Sequence, residues 1–396
     1  MLCHRKGLMR NGKNGCPKEL EQYRRYIKIA RTLNSNLEFE NIFKMVMREI
    51  TEFLGVARGS LFVVDDEKNK LWTLTATRNK RIELDLDRGI AGWVARHGRS
   101  VLTYDPYNDP RFDKSFDTRG FKTKDILALP IKDKKGKVIG VLELLNKLNG
   151  KKYTKRELAF ARLVADELAI SLTNAILFEE EKKVFESLIS VMAATIDARH
   201  PVTIGHSQRI AEYSVKIGKE LNLPPERLEL LEIAALLHDY GKIIIPDYIL
   251  RKKGALTPEE FEIMKMHPLV TFNILSKIHF PAHLRGVPNI ASFHHERING
   301  QGYPYGKKGE EIPLEAKILA VADVFDAITS AREYHEAYPY EKGKEEIVKG
   351  SGTRFDPKVV EAFLRFYEKN FEQRSEEETT SKKKARASKR KNKKNI

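Results

Sequence analysis

The chain has 396 residues, 41% of them hydrophobic, and a formal net charge of +16. That length accommodates two domains with full cores, and the two cysteines, Cys3 and Cys16, exclude a disulfide framework or a cysteine-held zinc. No apolar run approaches the ~20 residues of a membrane-spanning helix, and the opening "MLCHRKGLMRNGKNG" lacks the apolar segment of a secretory signal, so a cytoplasmic protein is expected.

Residues 1–18 carry five Lys or Arg and no acid, which predicts a disordered basic leader. Next, "ELEQYRRYIKIARTL" (19–33) and "EFENIFKMVMREITEFL" (38–54) repeat apolar residues at three- and four-residue spacing, as amphipathic helices do. Runs rich in β-branched and aromatic residues follow: "GSLFVVDD" (59–66), "KLWTLTATR" (70–78), "RSVLTYD" (99–105), "DILALPIKD" (125–133) and "KVIGVLELLN" (137–146). "DEKNK" and "DKKGK" lie between neighbouring runs like hairpin turns. Residues 19–180 are therefore expected to form an α/β domain around an antiparallel sheet. A stretch without Gly or Pro from 154 to 198 predicts a long connecting helix, whose apolar positions suit either packing within the chain or a parallel two-stranded coiled coil.

After Pro201 the periodicity is helical throughout, over 203–221, 225–241, 257–278, 288–298, 313–331 and 356–369, with short polar or Pro/Gly connections. Residues 185–372 are expected to form an all-α domain. In the final 373–396, the stretch "SKKKARASKRKNKKNI" has nine basic residues and no acid, a disordered basic tail. Taking leader and tail from +16 leaves about +2 for 19–380. The folded body is nearly neutral, and no specific nucleic-acid surface is expected.

In the all-α half, His and Asp collect at particular helix positions: His206, His238 with Asp239, His267 before Pro268, His294 with His295, and Asp323 three residues before Asp326. A lone histidine on an apolar helix is ordinarily a hydrogen-bonded core residue. Asp239 in "AALLHDYG" and Asp323 in "ILAVADVF", however, sit where an unpaired carboxylate is costly, and charges or metals offset that cost. Five His and two Asp are too many for one four-coordinate zinc but suit two octahedral ions sharing a carboxylate. Such a pair, ~3.5–4 Å apart, holds a phosphate, activates water and stabilises the leaving oxygen. Lys242, after the "HDYG" glycine read as a helix end, supplies positive charge for a phosphoryl oxygen. The chemistry this points to is phosphoester hydrolysis.

The ordered set His206, His238–Asp239, His267, His294–His295 and Asp323 resembles the HD superfamily of metal phosphohydrolases, and "HDYGKIIIPDYIL" and "HHERINGQGYP" narrow the resemblance to its HD-GYP branch over roughly 185–370. The resemblance implies a phosphodiesterase linearising the bacterial second messenger cyclic di-GMP, with iron or manganese as the usual metals. It implies that His206, His238, Asp239 and Asp323 hold one metal and that Asp239 bridges to a second held by His267, His294 and His295. Asp239 and Lys242 would be catalytic, with Lys242, Tyr303 and Arg332 as substrate contacts. Some members hold a third metal through a glutamate four residues before the first ligand histidine; Val202 stands there, favouring two metals and pGpG as product over GMP. Asn299 replaces the usual Asp of the loop, and Glu333 and His335 replace the usual Pro and basic residue. These departures leave room for another cyclic dinucleotide or nucleotide as substrate, or for a non-catalytic cyclic di-GMP receptor.

Residues 20–180 resemble a GAF domain through "GIAGWVARHGRSVLTYDPYNDPRF" and "LALPIKDKKGKVIGVLELLNK". "NKLNGKKYTKREL" partly matches the pattern of cyclic-nucleotide-binding GAF domains, with Asn146 and Lys147 in place, Tyr153 for Phe and Glu157–Leu158 for the acidic pair. A small ligand at this domain and a purely structural or dimerising role are both open. A regulatory homodimer coupled through the helix at 154–198 is the expected assembly.

Overall fold

The computed structural model describes residues 39–74, 81–117, 121–199, 205–330 and 338–372. The expected basic leader and tail, the helix at 19–33, the end of the strand at 70–78, Val202, Arg332, Glu333 and His335 lie outside the described residues. The chain divides into two compact units between Lys183 and Val184.

The first unit is an antiparallel sheet with helices packed against it. Helix α1 (Phe39–Leu54) buries Phe43, Met47, Ile50 and Leu54, one stripe at three- and four-residue spacing. Strands β1 (Val56–Asp65), β2 (Lys70–Leu74), β3 (Arg81–Asp85), β4 (Val101–Thr103), β5 (Ile126–Lys132) and β6 (Val138–Lys147) make one sheet in the order β3-β2-β1-β6-β5-β4, every neighbour antiparallel. One face packs on α1 and on helix α3 (Lys155–Arg199) through Leu61, Leu142, Leu144, Phe160, Val164 and Leu168. The other, with Phe62, Ile126 and Val141, meets helix α2 (Gly89–His97). Sequence periodicity passes over β3 and α2: β3 has five residues, and α2 opens on a glycine and carries another inside.

The partial cyclic-nucleotide pattern has a structural use here. The Asn146 side chain accepts from the Lys124 amide at 2.6 Å and donates to the Lys122 carbonyl at 2.8 Å. Buried Lys147 donates to the Leu54 carbonyl at 3.1 Å and to Glu157 at 2.6 Å, with its ammonium over the Tyr153 ring. These residues fasten β6 to α1 and to the start of α3, so their presence needs no nucleotide to explain it.

Helix α3 runs from Lys155 to Arg199, one continuous helix as the lack of Gly and Pro predicts. The second unit is helical: α4 (His206–Glu220), α5 (Pro225–Leu237), a 3₁₀ turn (Tyr240–Ile244), α6 (Asp247–Leu250), α7 (Pro258–Met264), α8 (His267–Leu275), α9 (Val287–Ser292), α10 (Leu314–Thr329), α11 (Tyr340–Lys349) and α12 (Pro357–Tyr367). Helix α4 packs on α5, α10 and α12, and the 3₁₀ turn on α8. Three expectations are corrected. The helix expected over 257–278 is two helices, because Pro268 can be accommodated only in a first turn. Those expected over 225–241 and 288–298 stop at Leu237 and Ser292, leaving His238, Asp239, His294 and His295 in turns. Helix α11 was not expected, since "YEKGKEEIVK" buries only Gly343 and Ile347.

Candidate metal centre

The ends of these helices aim imidazoles inward by one repeated device. His238, His267 and His294 each follow a helical turn, and each places Nδ1 on the carbonyl three residues back: Ala235 at 2.7 Å, Met264 at 2.7 Å and Ala291 at 2.6 Å. A carbonyl only accepts, so each Nδ1 carries the proton and each Nε2 offers a lone pair to the interior. His206, at the start of α4, reaches the same state differently. Its Nδ1 lies 2.7 Å from Asp326 Oδ2, and Asp326 is bound by Arg209 Nε at 2.6 Å and by Ser330 Oγ. Burial opposes the charge on Asp326, but bonds from His206 and Arg209 pull its carboxyl down to about 2. It is an ionised acceptor that fixes the His206 tautomer, as outer carboxylates do for metal-bound imidazoles.

Asp239 lies between two sets of imidazoles. Its Oδ2 is 3.3 Å from His238 Nε2 and 3.9 Å from His206 Nε2; its Oδ1 is 3.3 Å from His267 Nε2 and 3.8 Å from His294 Nε2. Asp323 Oδ1 stands 3.7 Å from His206 Nε2. His206, His238 and Asp323 bring ligand atoms within 4.8 Å of one another, and so do His267, His294 and His295. All seven candidate ligands named from the sequence therefore converge, as two triads with Asp239 between them.

The donor set fits divalent metal ions. Buried His238 Nε2 and Asp239 Oδ1 have no hydrogen-bond partner among the described residues, a costly state for polar atoms unless they coordinate something. His267 Nε2 and His294 Nε2 are 3.4 Å apart; with both Nδ1 atoms protonated, two lone pairs face each other, and a cation relieves that repulsion. Burial first, then neighbouring imidazoles, push His294 and His295 well below the ordinary histidine range, so both are neutral near pH 7. Asp239 is held well below the carboxylate range: burial opposes this, but His238 and Lys242 outweigh it. His238, against the same burial, is pushed up to about 8 by Asp239, so in the metal-free state its Nε2 takes up a proton near pH 7 that a bound cation would displace.

Lys242 Nζ donates to Asp239 Oδ2 at 2.5 Å, placing an ammonium at the rim of the centre. Gly241 does not end a helix as expected. It lies within the 3₁₀ turn and is pressed against α8, where a Cβ would come within 2.0 Å of the His267 carbonyl. Its amide donates to Thr271 Oγ1, which donates in turn to the His238 carbonyl. Tyr303 stacks at a tilt on His295 with ring centroids 4.7 Å apart, so it packs directly on one of the candidate ligands. Sequence reasoning gave no role to Glu296. Buried, it accepts from the amides of Tyr305, Gly306 and Lys307 at 2.6, 3.1 and 3.0 Å and folds the Gly-rich loop back over His295. An acid directly after the paired histidines, before a glycine-punctuated loop, is the signal that could have found it.

Residues 190–359 match the HD domain family model and residues 38–172 match the GAF domain model. One chain thus joins a segment that matches GAF domains to a segment that matches HD domains. A cyclic di-GMP phosphodiesterase of Thermotoga maritima is 44% identical over 187 residues, which are 47% of this chain and 50% of that protein. The cyclic di-GMP phosphodiesterase response regulator RpfG of Xanthomonas campestris is 41% identical over 200 residues, 50% of this chain and 52% of that protein. A 3'3'-cGAMP-specific phosphodiesterase 2 of Vibrio cholerae is 27% identical over 353 residues, 86% of this chain and 63% of that protein. The chain spans about half the length of the first two relatives.

Proposed function

We propose that the chain is a metal-dependent phosphodiesterase that opens cyclic di-GMP to pGpG. One observation carries this reading: two His-rich triads flank one carboxylate, Asp239, whose two oxygens face different triads. The names of the relatives at 44% and 41% identity support the substrate. Two divalent ions, iron or manganese by resemblance, would be held by His206, His238 and Asp323 on one side and His267, His294 and His295 on the other, with Asp239 between. When bound, they supply Lewis acidity and an activated water for attack on a phosphodiester. The protein's own part is to hold six lone-pair donors and an ionised bridge in place, while Lys242 brings a positive charge to a phosphoryl oxygen. Arg332 is assigned a phosphate contact by resemblance alone.

A second substrate reading is another cyclic dinucleotide, 3'3'-cGAMP. It is favoured by the relative that covers most of this chain and by Asn299 in place of the usual Asp. Its side chain here turns back on Gln301, accepting from that amide at 2.9 Å. The test is product analysis on anaerobically purified, metal-assayed protein offered each cyclic dinucleotide. About two metals per chain and pGpG from cyclic di-GMP are expected. Hydrolysis of 3'3'-cGAMP alone selects the second reading, and a metallated protein that cleaves neither rejects both.

The GAF half is proposed to regulate this activity within a homodimer. Leu163, Ile170, Leu177, Val184 and Val191 are all exposed on α3 and recur every seven residues, on the side opposite Val164, Leu168 and Leu172. A seven-residue stripe stays turned toward one parallel partner helix as the two supercoil. Light scattering should find a dimer, and Leu177→Asp with Val184→Asp should yield a folded monomer. A monomeric wild-type protein at tens of micromolar, roughly the range in which weak dimers still form, would refute the assembly.

A further inference from the structure

We propose that Arg199, the last residue of α3, is a positioning residue for the reaction, clamping the turn that presents Lys242 to the metal centre. Its guanidinium Nη1 donates to the Ile243 carbonyl and, at 3.4 Å, to that of Lys242. Nη2 donates to the Ile245 carbonyl at 3.3 Å and to Asp247 Oδ1 at 2.7 Å. Arg251, just beyond the same segment, returns two bonds to the Arg199 carbonyl at 3.2 and 2.9 Å. Main chain and side chain of the α3 terminus are both tied to the stretch from Lys242 to Arg251.

The clamp matters because, among the described residues, little else holds the outer side of that turn. Ile243 and Ile244 are 38% and 51% exposed, so burial does not fix them. The inner side rests on α8 through Gly241 and Thr271. Between these two supports stands Lys242, with its ammonium on Asp239. Arginine suits the place because its planar fork spreads donors on separate nitrogens over several acceptors in a fixed geometry, whereas lysine's three donors all leave one nitrogen. An alternative is that Arg199 merely caps its own helix and pairs with Asp247. That pair is largely exposed on the Asp247 side and is worth little by itself; three of the four acceptors are carbonyls of the turn. A shift or rotation of the α3 terminus would therefore be passed to Lys242 through hydrogen bonds alone.

The inference rests on the phosphodiesterase reading for its kinetic readout and not for its structural one. Full-length wild type, Arg199→Gln, Arg199→Lys and Asp247→Asn are compared for metal content, kcat and KM with cyclic di-GMP, and amide hydrogen exchange. In Arg199→Gln, the amides of Lys242 and Ile245, which bond within the turn, should exchange faster. The metals should remain, and kcat should fall about ten- to a hundredfold with a smaller change in KM. Arg199→Lys should recover part of the loss, and Asp247→Asn should stay within about twofold. Unchanged exchange at the turn, or a lowered Tm with normal kcat, overturns the proposal. A wild type that does not cleave cyclic di-GMP would sink the substrate reading, and the exchange data would still decide the clamp.

Discussion

Asp239→Asn should abolish hydrolysis, with a loss of at least ~10³-fold in turnover, and should reduce the metal content from two ions per chain to one or none. The substitution keeps the size of a side chain that is only 6% exposed, so a failure cannot be assigned to a cavity. What changes is charge and acceptor count. The carboxylate offers an oxygen to each triad, at 3.3 Å from His238 Nε2 and 3.3 Å from His267 Nε2. An amide offers one oxygen and, on the other side, an N–H₂ that has nothing to give to a metal. In the metal-free protein, Asp239 also outweighs the burial that opposes a charge on His238; without it, the His238 pKa of that metal-free form should drop from about 8 toward and below its ordinary value. Elemental analysis, product analysis and the His238 titration followed by NMR check the three parts separately. A variant that keeps both metals and turns over normally would show that the two triads do not share this carboxylate.

The converging set of five His and two Asp was legible in the sequence because carboxylates in apolar helices are rare and because paired His-Asp and His-His stand out by adjacency. Its support was not. The three carbonyls that fix His238, His267 and His294 become available only where a helix stops, and the periodicity of 225–241, 257–278 and 288–298 ran on past those stops. Pro268 marked one of them in plain view. Asp326 was visible as a neighbour of Asp323, yet its bond to His206 crosses from α10 to α4, a contact no local pattern encodes. In the first unit, β1, β5 and β6 were legible from their β-branched runs. Strand β3 was not, because three of the five residues of "RIELD" are charged and it is recognisable only as the partner of β2. The shift of Gly241 from helix end to packing contact has the same origin: whether a glycine serves a free φ or a close approach depends on what lies opposite.

That distinction can be measured through Gly241→Ala. If Gly241 only ended a helix, alanine would cost ~1 kcal/mol or less and leave the metals alone. In this structure, the added Cβ would lie 2.0 Å from the His267 carbonyl oxygen, 2.6 Å from the Thr271 amide nitrogen and 2.8 Å from Thr271 Oγ1. Two of these atoms are main chain and the third is held at both ends, by the Gly241 amide and the His238 carbonyl. Normal carbon contacts need ~3.5 Å, so the turn and α8 must separate by more than an ångström. His267 begins α8, and Asp239 precedes the turn by one residue. The gap that opens is therefore between Asp239 Oδ1 and His267 Nε2, now 3.3 Å apart. We expect a destabilisation of ~1–3 kcal/mol by chemical denaturation, loss of the metal on the His267 side and a fall of about a hundredfold in turnover. A small stability loss with both metals retained would mean that the turn yields toward solvent. It would yield on the side where Arg199 holds it, so combining Gly241→Ala with Arg199→Gln should then cost less than the two changes taken separately.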